Sequence, residues 1–177
     1  MKRIVWLSLA LAALAALTLV LSRQNVAPVH AAALPAVTVS VEHARPRQVE
    51  DPTQKAVARD YAAAWQAMAE ALDQNRTELL GANFIGAARR KLTATVAEQR
   101  KARLHQRITD QGHTVAAIFY SADGSAIELD DTAHLRFDLM DGNTVVHSQD
   151  GVVRYVALLT AAENSWKVRV LQAVPSS

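Results

Sequence analysis

The sequence predicts an α+β domain in which two to three helices pack on a curved, four-stranded antiparallel sheet, behind an N-terminal transmembrane or signal helix. Three observations support this prediction. Residues 106–174 alternate between apolar and polar positions and are divided by turn signals, which is typical of strands. Residues 51–104 carry apolar side chains three or four positions apart, which is typical of helices. Residues 4–21 form an uncharged apolar run.

The most regular strand pattern runs from residue 126 to residue 140. Its odd-numbered positions from 127 to 139 are apolar except for Asp131, whereas its even-numbered positions are mainly polar or charged. Because side chains alternate between the two faces of a strand, we expect the odd positions to face a core and the even positions to face water.

Turn signals divide this half of the chain into four strands in a simple meander. An Asp-Gly pair at 123–124 precedes the regular strand, and an Asp-Gly-Asn run at 141–143 follows it. Such residues adopt the positive φ angles of tight hairpins, so neighbouring strands should be antiparallel. A third turn is predicted at 163–165, and Gly112 predicts a bend or bulge in the first strand.

The first helix is predicted to begin with Asp51 as its N-cap and Pro52 at the first helical position. Its apolar residues recur at helical spacing and should form one stripe that faces the sheet. These residues are Val57, Tyr61, Ala64, Trp65, Met68 and Leu72.

A second helical segment is predicted from Asn75 and Glu78, which repeat the capping pattern. We expect a short helical turn around Leu79 and then a longer helix that ends near Leu104. The side chains of this segment that should meet the sheet are Leu80, Phe84, Ala88, Leu92 and Val96.

The N-terminus predicts where the protein is located. Lys2 and Arg3 precede the apolar run at residues 4–21, which is long enough to cross most of a membrane. We therefore predict a signal anchor at residues 1–22, with a cleaved signal peptide as the alternative. Since the positive charges stay inside, the domain would face the periplasm from a bacterial-type inner membrane, or be periplasmic or secreted after cleavage.

A tether and one domain should follow the leader. Residues 23–50 contain Pro28, Pro35 and Pro46, which predicts an extended tether, although alternating valines from Val37 onward allow a short strand within it. Residues 51–177 then form the domain. A chain of 177 residues, 50% of them hydrophobic, is consistent with one modest core.

Composition disfavours several function classes. The chain has no cysteine, which excludes disulfides, thiolate zinc sites and thiol chemistry. No glycine-rich loop precedes a helix in the manner of phosphate-binding sites, so we expect no nucleotide cofactor. The net charge of +2 argues neither for nor against nucleic acid, which the predicted extracytoplasmic location disfavours. Basic side chains concentrate in residues 76–107, which predicts either a solvated helix face or a site for anionic lipid headgroups or an acidic partner.

The order of elements resembles the nuclear transport factor two-like superfamily of cone-shaped α+β domains. The resemblance covers residues 51–174 and is carried by Ala64-Trp65-Gln66, Leu79-Leu80-Gly81, Arg154-Tyr155 and Ser165-Trp166-Lys167-Val168. The sequence is most similar to membrane-tethered, non-catalytic members, such as the intermembrane-space domain of plastid-division proteins. The resemblance implies a tethered domain that binds partners or dimerises through its sheet.

The resemblance also implies a pocket between the helices and the concave sheet, where enzymes of this superfamily use carboxylates and tyrosines. The candidate lining residues here are Tyr61, Trp65, Asp131 and Phe137. A buried Asp131 carboxylate facing the Tyr61 hydroxyl could act as a general base with a hydrogen-bond donor, for proton transfer beside a carbonyl. The alternative places Asp131 at a bulge on the rim and leaves Tyr61 packed with its hydroxyl satisfied.

The water-facing side of the sheet offers a second set of residues, namely His134, Arg136, Asp138 and His147. A two-residue loop at 141–142 would place His147 opposite Arg136. Two histidines and a carboxylate could bind zinc, but we expect cross-strand charge pairing or a homodimer contact, with no metal and no cofactor. His105 and His113 are interpreted as surface residues.

We therefore predict an extracytoplasmic binding or assembly module without catalytic activity. It would contact the membrane through residues 4–21, and a second copy or an envelope protein through the sheet face. The alternative is a small-ligand binder, or a weak isomerase or hydrolase, that uses the pocket between helices and sheet.

Overall fold

The computed structural model describes residues 37–175. Within this range the elements are β1 (Val39–Ser40), β2 (Arg45–Pro46), α1 (Asp51–Asp73), a 3-10 helix (Thr77–Leu80), α2 (Gly86–Ala102), β3 (His105–Tyr120), β4 (Ala126–Asp141), β5 (Thr144–Ala162) and β6 (Ser165–Val174). The predicted anchor at residues 4–21 lies outside the described residues. Among those described, no helix is long and apolar enough to cross a membrane.

The described strands form one mixed sheet in the order β1-β3-β4-β5-β6, with β2 also paired to β3. The four long strands make the predicted antiparallel meander. The prediction of a purely antiparallel, four-stranded sheet is wrong, because β1 and β2 run parallel to β3 at its edge. Both short strands lie in the segment predicted as a tether. They join the sheet because Val39 and Ala44 are fully buried in the core.

The core lies between α1 and the inner face of the sheet. Every residue of the predicted α1 stripe is buried, and so are the odd positions of β4 from 127 to 135. Asp60 fixes α1 against the sheet, because its Oδ2 accepts a hydrogen bond of 2.7 Å from the backbone N–H of Trp166 at the start of β6. The helix α2 buries less: Ala88 and Val96 are buried, and Leu92 is partly buried.

The predicted caps are one or more residues away from the observed ones. α1 begins at Asp51, with Glu50 as the N-cap and no side-chain cap bond, and Pro52 lies in the first turn as predicted. Asn75 is not the N-cap of a helix but follows the C-cap of α1 in a Schellman-type turn, in which the Arg76 N–H donates to the Ala71 carbonyl at 2.9 Å. Asn75 has a φ of 53°, and its side-chain N–H donates to the Leu104 carbonyl at 2.8 Å, so it links the end of α1 to the segment before β3.

Four irregularities shift the register of the meander in the described residues, and two of them bear on the predictions. The predicted bulge at Gly112 is confirmed by a shift between Asp110 and Gly112 in the pairing of β3 with β4. A second shift, between Leu139 and Met140, lies beside the β4–β5 turn. There the predicted alternation fails, because Met140, expected on the water-facing side, is buried.

Candidate functional site

The structure brings together the two residues that the sequence singled out for chemistry. Tyr61, in the middle of α1, donates a hydrogen bond of 2.8 Å from its hydroxyl to Oδ2 of Asp131 on β4. The Asp131 side chain is fully buried, and Tyr61 is only 1% exposed. The alternative that placed Asp131 at a bulge on the rim is wrong, since Asp131 pairs in regular register with Val115 and Tyr155.

His113 on β3 completes this cluster, although the sequence had suggested that it lies on the surface. Its side chain is fully buried, and Nδ1 lies 3.0 Å from both carboxylate oxygens of Asp131. Nε2 lies 3.1 Å from Oδ2 of Asp110, close enough for an ion pair but without the alignment of a hydrogen bond. The imidazole is therefore held between two carboxylates.

The bulge at Gly112 explains why both His113 and Asp110 point inward. In a regular strand, residues three positions apart face opposite sides of the sheet. The extra residue of the bulge reverses the alternation, so that Asp110 pairs with Leu135 and His113 pairs with Ala133, which are both inner-face residues. Gly112, the only sequence signal for this arrangement, predicted the bulge but not which histidine would be buried by it.

Aromatic rings enclose the cluster. The Trp65 ring centroid lies 4.7 Å from that of His113, 6.3 Å from that of Tyr61 and 5.2 Å from that of Tyr155. The indole N–H of Trp65 is buried and has no hydrogen-bond partner. Trp65 and Tyr155 thus pack around the hydrogen bonds that Tyr61 and His113 make to the Asp131 carboxylate.

This environment shifts the pKa values of the neighbouring groups. Burial first, and then the charge of Asp131 and the hydrogen bond to it, raise the pKa of Tyr61 well above its usual value. Burial and the charge of Asp131 also raise the pKa of Tyr155. Burial tends to lower the pKa of His113, but the hydrogen bond to Asp131 and the charges of Asp131 and Asp110 together outweigh it and raise the pKa. Tyr61 therefore stays neutral, and His113 favours its charged form.

An open cavity borders the cluster. It measures about 480 Å³, lies beside β1 and is lined in part by His113 with Gln54 and Val115, but the His113 side chain is not exposed to it. The space between α1 and the sheet has no room for a water molecule, and it is lined by Tyr61, Ala64, Trp65, Met68, Phe84, Val168 and Leu171. Phe137, the fourth residue predicted for the pocket, lines a different cavity of about 200 Å³ between α2 and the sheet, with Leu92 and Tyr155. The carboxylate can hold a proton between its partners, but a substrate cannot reach it in this conformation.

The fold resembles that of solved structures. The crystal structure of the intermembrane space region of the chloroplast protein ARC6 superposes with a TM-score of 0.59 at 16% sequence identity, over 74% of this chain and 100% of that one. The described domain has an NTF2-like fold. At this identity the likeness shows the fold alone.

Two further structures align with the described domain. ActVI-ORFA from Streptomyces coelicolor has a TM-score of 0.46 at 14% identity, over 66% of this chain and 92% of its own. A protein of the NTF2-like family from Streptomyces avermitilis, described as a dehydratase, has a TM-score of 0.45 at 14% identity, over 68% of this chain and 98% of its own. No protein-family model matches the sequence, and no curated protein matches it.

The outer face of the sheet carries three of the four residues of the second predicted set. His134 and Arg136 are exposed, and the Asp138 carboxylate accepts hydrogen bonds from Arg136 and Ser148. His147 is exposed but pairs with Leu139 and not with Arg136, so it lies on the opposite face from His134, Arg136 and Asp138. The expected register is wrong because the loop consists of residues 142–143 and because the shift beside Leu139 adds one more residue.

These residues do not form a metal site. His134 and His147 stand five pairing positions apart along the sheet, which is roughly 17 Å at 3.4 Å per residue. Within residues 37–175, no group of three histidine, aspartate or glutamate side chains is placed to hold a metal ion. The ion pair between Arg136 and Asp138 is instead charge pairing along one strand, with Nε 3.2 Å from Oδ1.

Proposed function

We propose that the protein is an extracytoplasmic binding or assembly module without catalytic activity, held at a bacterial-type inner membrane by residues 4–21 or released by cleavage. The observation that carries this proposal is the closed interior. Asp131, the best candidate base, is fully buried, and the space beside Tyr61 and Trp65 cannot admit a water molecule. General acid–base chemistry needs the base within hydrogen-bond reach of its substrate, which this arrangement prevents.

The outer face of the sheet supports a role in binding. The helices cover only the inner face, so the even-numbered residues of β4 from 128 to 138 lie on the other face together with their partners on β5. Val152, which pairs with His134, is 62% exposed, and Arg154 makes a two-pronged ion pair with Asp130 beside it. An apolar side chain bordered by oriented charges is suited to a protein contact.

The ARC6 neighbour supports the location. That protein region is an intermembrane space region, so a domain of the same fold works between two membranes. In this chain Lys2 and Arg3 precede an apolar run, so these charges would stay in the cytoplasm and the domain would lie outside it.

Labelling of a single cysteine tests the location. The native chain has no cysteine, so Asn164→Cys in the exposed β5–β6 turn provides one reactive thiol. We expect a membrane-impermeant maleimide to label this variant in intact inner-membrane spheroplasts. Labelling only after the membrane is permeabilised would contradict an extracytoplasmic domain. The unsubstituted chain serves as the control for background.

Site-specific photocrosslinking tests the binding face. A photoreactive amino acid at Arg136 on the outer face is compared with one at Thr93, which is exposed on α2. We expect a discrete crosslinked product in membranes from position 136 that position 93 does not give. A product common to both positions, or none from position 136, would contradict the proposed use of the outer face.

The second candidate function is small-ligand binding in the cavity between α2 and the sheet. Its volume of about 200 Å³ lies below the range of roughly 300–1,000 Å³ usual for ligand pockets, which is why it ranks second. A ligand at 100 times its dissociation constant would stabilise the domain by about 2.7 kcal/mol. A thermal-shift screen that finds such a ligand, with an effect abolished by Leu92→Trp but not by Thr93→Trp, would favour this alternative.

A further inference from the structure

The β5 strand has an open edge along half its length. β5 runs from Thr144 to Ala162, but its pairing with β6 begins only at Arg154. Residues 144–153 therefore pair with β4 on one side, and no strand among residues 37–175 pairs with them on the other. Every second residue of this segment presents its backbone N–H and C=O groups to an unoccupied edge.

This edge lacks most of the features that prevent edge pairing. Exposed edges are usually protected by lysine, by proline or by inward-pointing charges. Residues 144–153 contain no lysine, arginine or proline and a single carboxylate, Asp150. Three valines are exposed instead, with Val145 at 49%, Val146 at 53% and Val152 at 62%. The register shift beside Val146 is the one protective irregularity.

We propose that this edge pairs with the same edge of a second copy, antiparallel across a two-fold axis at Gln149. Residues that face each other across such an axis must lie on the same side of the sheet. Because side chains alternate between the two sides along a strand, the two facing residues are both odd-numbered or both even-numbered. An axis at Gln149 places Ser148 opposite Asp150 and His147 opposite Gly151, and brings Val146 towards Val152 at both ends.

The side chains select this axis over its neighbours. An axis one residue further on, at Asp150, would bring two carboxylates face to face, which destabilises a strand pair. An axis at Ser148 would set Val146 against Asp150. The axis at Gln149 opposes no like charges and brings the exposed valines together. This contact is made by the backbone of the sheet edge, and it shares only Val152 with the outer-face contact of the proposed function.

Single cysteines in the full chain test the pairing in membranes. Because the native chain has no cysteine, a disulfide in Gln149→Cys can only join two copies. Residues opposite each other in an antiparallel pair have Cα atoms about 4.5–5.5 Å apart, which suits a disulfide. In the matched control, Val152→Cys, the two cysteines would stand six residues apart along the strands, roughly 20 Å.

We expect mild oxidation to give a covalent dimer of Gln149→Cys and at least ten times less of Val152→Cys. Equal yields would indicate random collision, and no dimer from Gln149→Cys would indicate that the edge is unpaired; either result overturns the proposal. Because Arg136 pairs with Asp150 near the axis, only a photocrosslink from Arg136 to a protein other than a second copy is independent of this outcome. That product distinguishes failure of the edge pairing from failure of the proposed function.

Light scattering of the full chain in mild detergent gives a test without cysteines. Gln149→Lys would place two positive charges opposite each other at the axis, whereas Gln149→Thr keeps a residue that favours strands. We expect the unsubstituted chain and Gln149→Thr to have the mass of two 19.2 kDa chains, and Gln149→Lys to have the mass of one. A monomeric unsubstituted chain, or a dimer that Gln149→Lys leaves intact, overturns the proposal.

Discussion

At the scale of single residues, the Asp131 carboxylate determines the interior of this domain. It accepts hydrogen bonds from Tyr61 and His113 and has no contact with water. A buried charge is tolerated when it is paired and hydrogen-bonded, and removing one partner leaves the others unsatisfied. The cluster therefore acts first as a structural element that joins α1, β3 and β4.

We expect Asp131→Ala to lower the free energy of unfolding by about 3–5 kcal/mol, because the tyrosine hydroxyl and the imidazole would lose their buried partner. Asp130→Asn is the matched control on the same strand. Asp130 pairs with Arg154 at the surface, and such pairs contribute about 0–1 kcal/mol. Urea unfolding measures both variants. Similar losses of unfolding free energy for the two variants would show that the burial of Asp131 does not explain its effect on stability.

The stability of the domain should depend on pH through His113. The neighbouring groups that face it are Asp131 and Asp110, with Tyr61 on the far side of Asp131, and the pKa of His113 is raised in the folded state. The contribution of His113 to the free energy of unfolding is thus fully present below its unfolded pKa of about 6.5. It is lost as the pH rises through the pKa of His113 in the folded state. The loss per pH unit is at most about 1.4 kcal/mol.

Urea unfolding from pH 5.5 to pH 8.5 measures this dependence. We expect the unfolding midpoint to fall over that range in the unsubstituted chain and to change less in His113→Gln. His134→Gln, at an exposed position on the outer face, serves as the control and should keep the fall. A midpoint that rises with pH in the unsubstituted chain would contradict a raised pKa of His113.

At the scale of elements, the bulge in β3 decides which side chains enter the core. Gly112 has a φ of 131°, a conformation that residues with a side chain rarely adopt. No atom lies within 4 Å of the position that a Cβ would take there, so a substitution would be strained by its backbone and not by a clash.

We therefore expect Gly112→Ala to destabilise the domain by about 1–3 kcal/mol. Gly151→Ala on β5 is the control, because its φ is not positive and its Cβ would meet only Phe137 at 4.0 Å. That variant should change the free energy of unfolding by less than about 0.5 kcal/mol. Equal effects of the two substitutions in thermal unfolding would argue against strain at the bulge.

The end of α2 contains strain of the same kind. Arg103, which follows the helix, has a φ of 59°. A left-handed conformation costs a residue with a side chain about 1–2 kcal/mol, and glycine avoids this cost. Glycine also has more freedom in the unfolded state, which cancels part of the gain in stability. We expect Arg103→Gly to stabilise the domain by about 0.5–1 kcal/mol, whereas Ala94→Gly, on the exposed face within α2, should cost about 1 kcal/mol. Thermal unfolding should show a higher melting temperature for Arg103→Gly and a lower one for Ala94→Gly.

At the scale of the whole molecule, the folded unit includes residues before the first helix. Val39, in the segment predicted as a tether, is 1% exposed and pairs with Val115 at the sheet edge. We expect Val39→Ala to lower the free energy of unfolding by about 1.5–2.5 kcal/mol, since two buried methyl groups are removed. Val152→Ala, at a position 62% exposed, should change it by less than about 0.5 kcal/mol. Equal urea midpoints for the two variants would show that residues before α1 lie outside the folding unit.

The sequence by itself determined the four-strand meander, the inward stripe of α1 and the inner face of β4, because local periodicity records which side of an element is buried. It also indicated that Tyr61 and Asp131 could meet. Only the tertiary structure decided the burial of His113, the closed space beside Asp131 and the parallel edge strands. These depend on one extra residue in β3 and on contacts between segments far apart in the chain, and periodicity within a single segment carries no record of either.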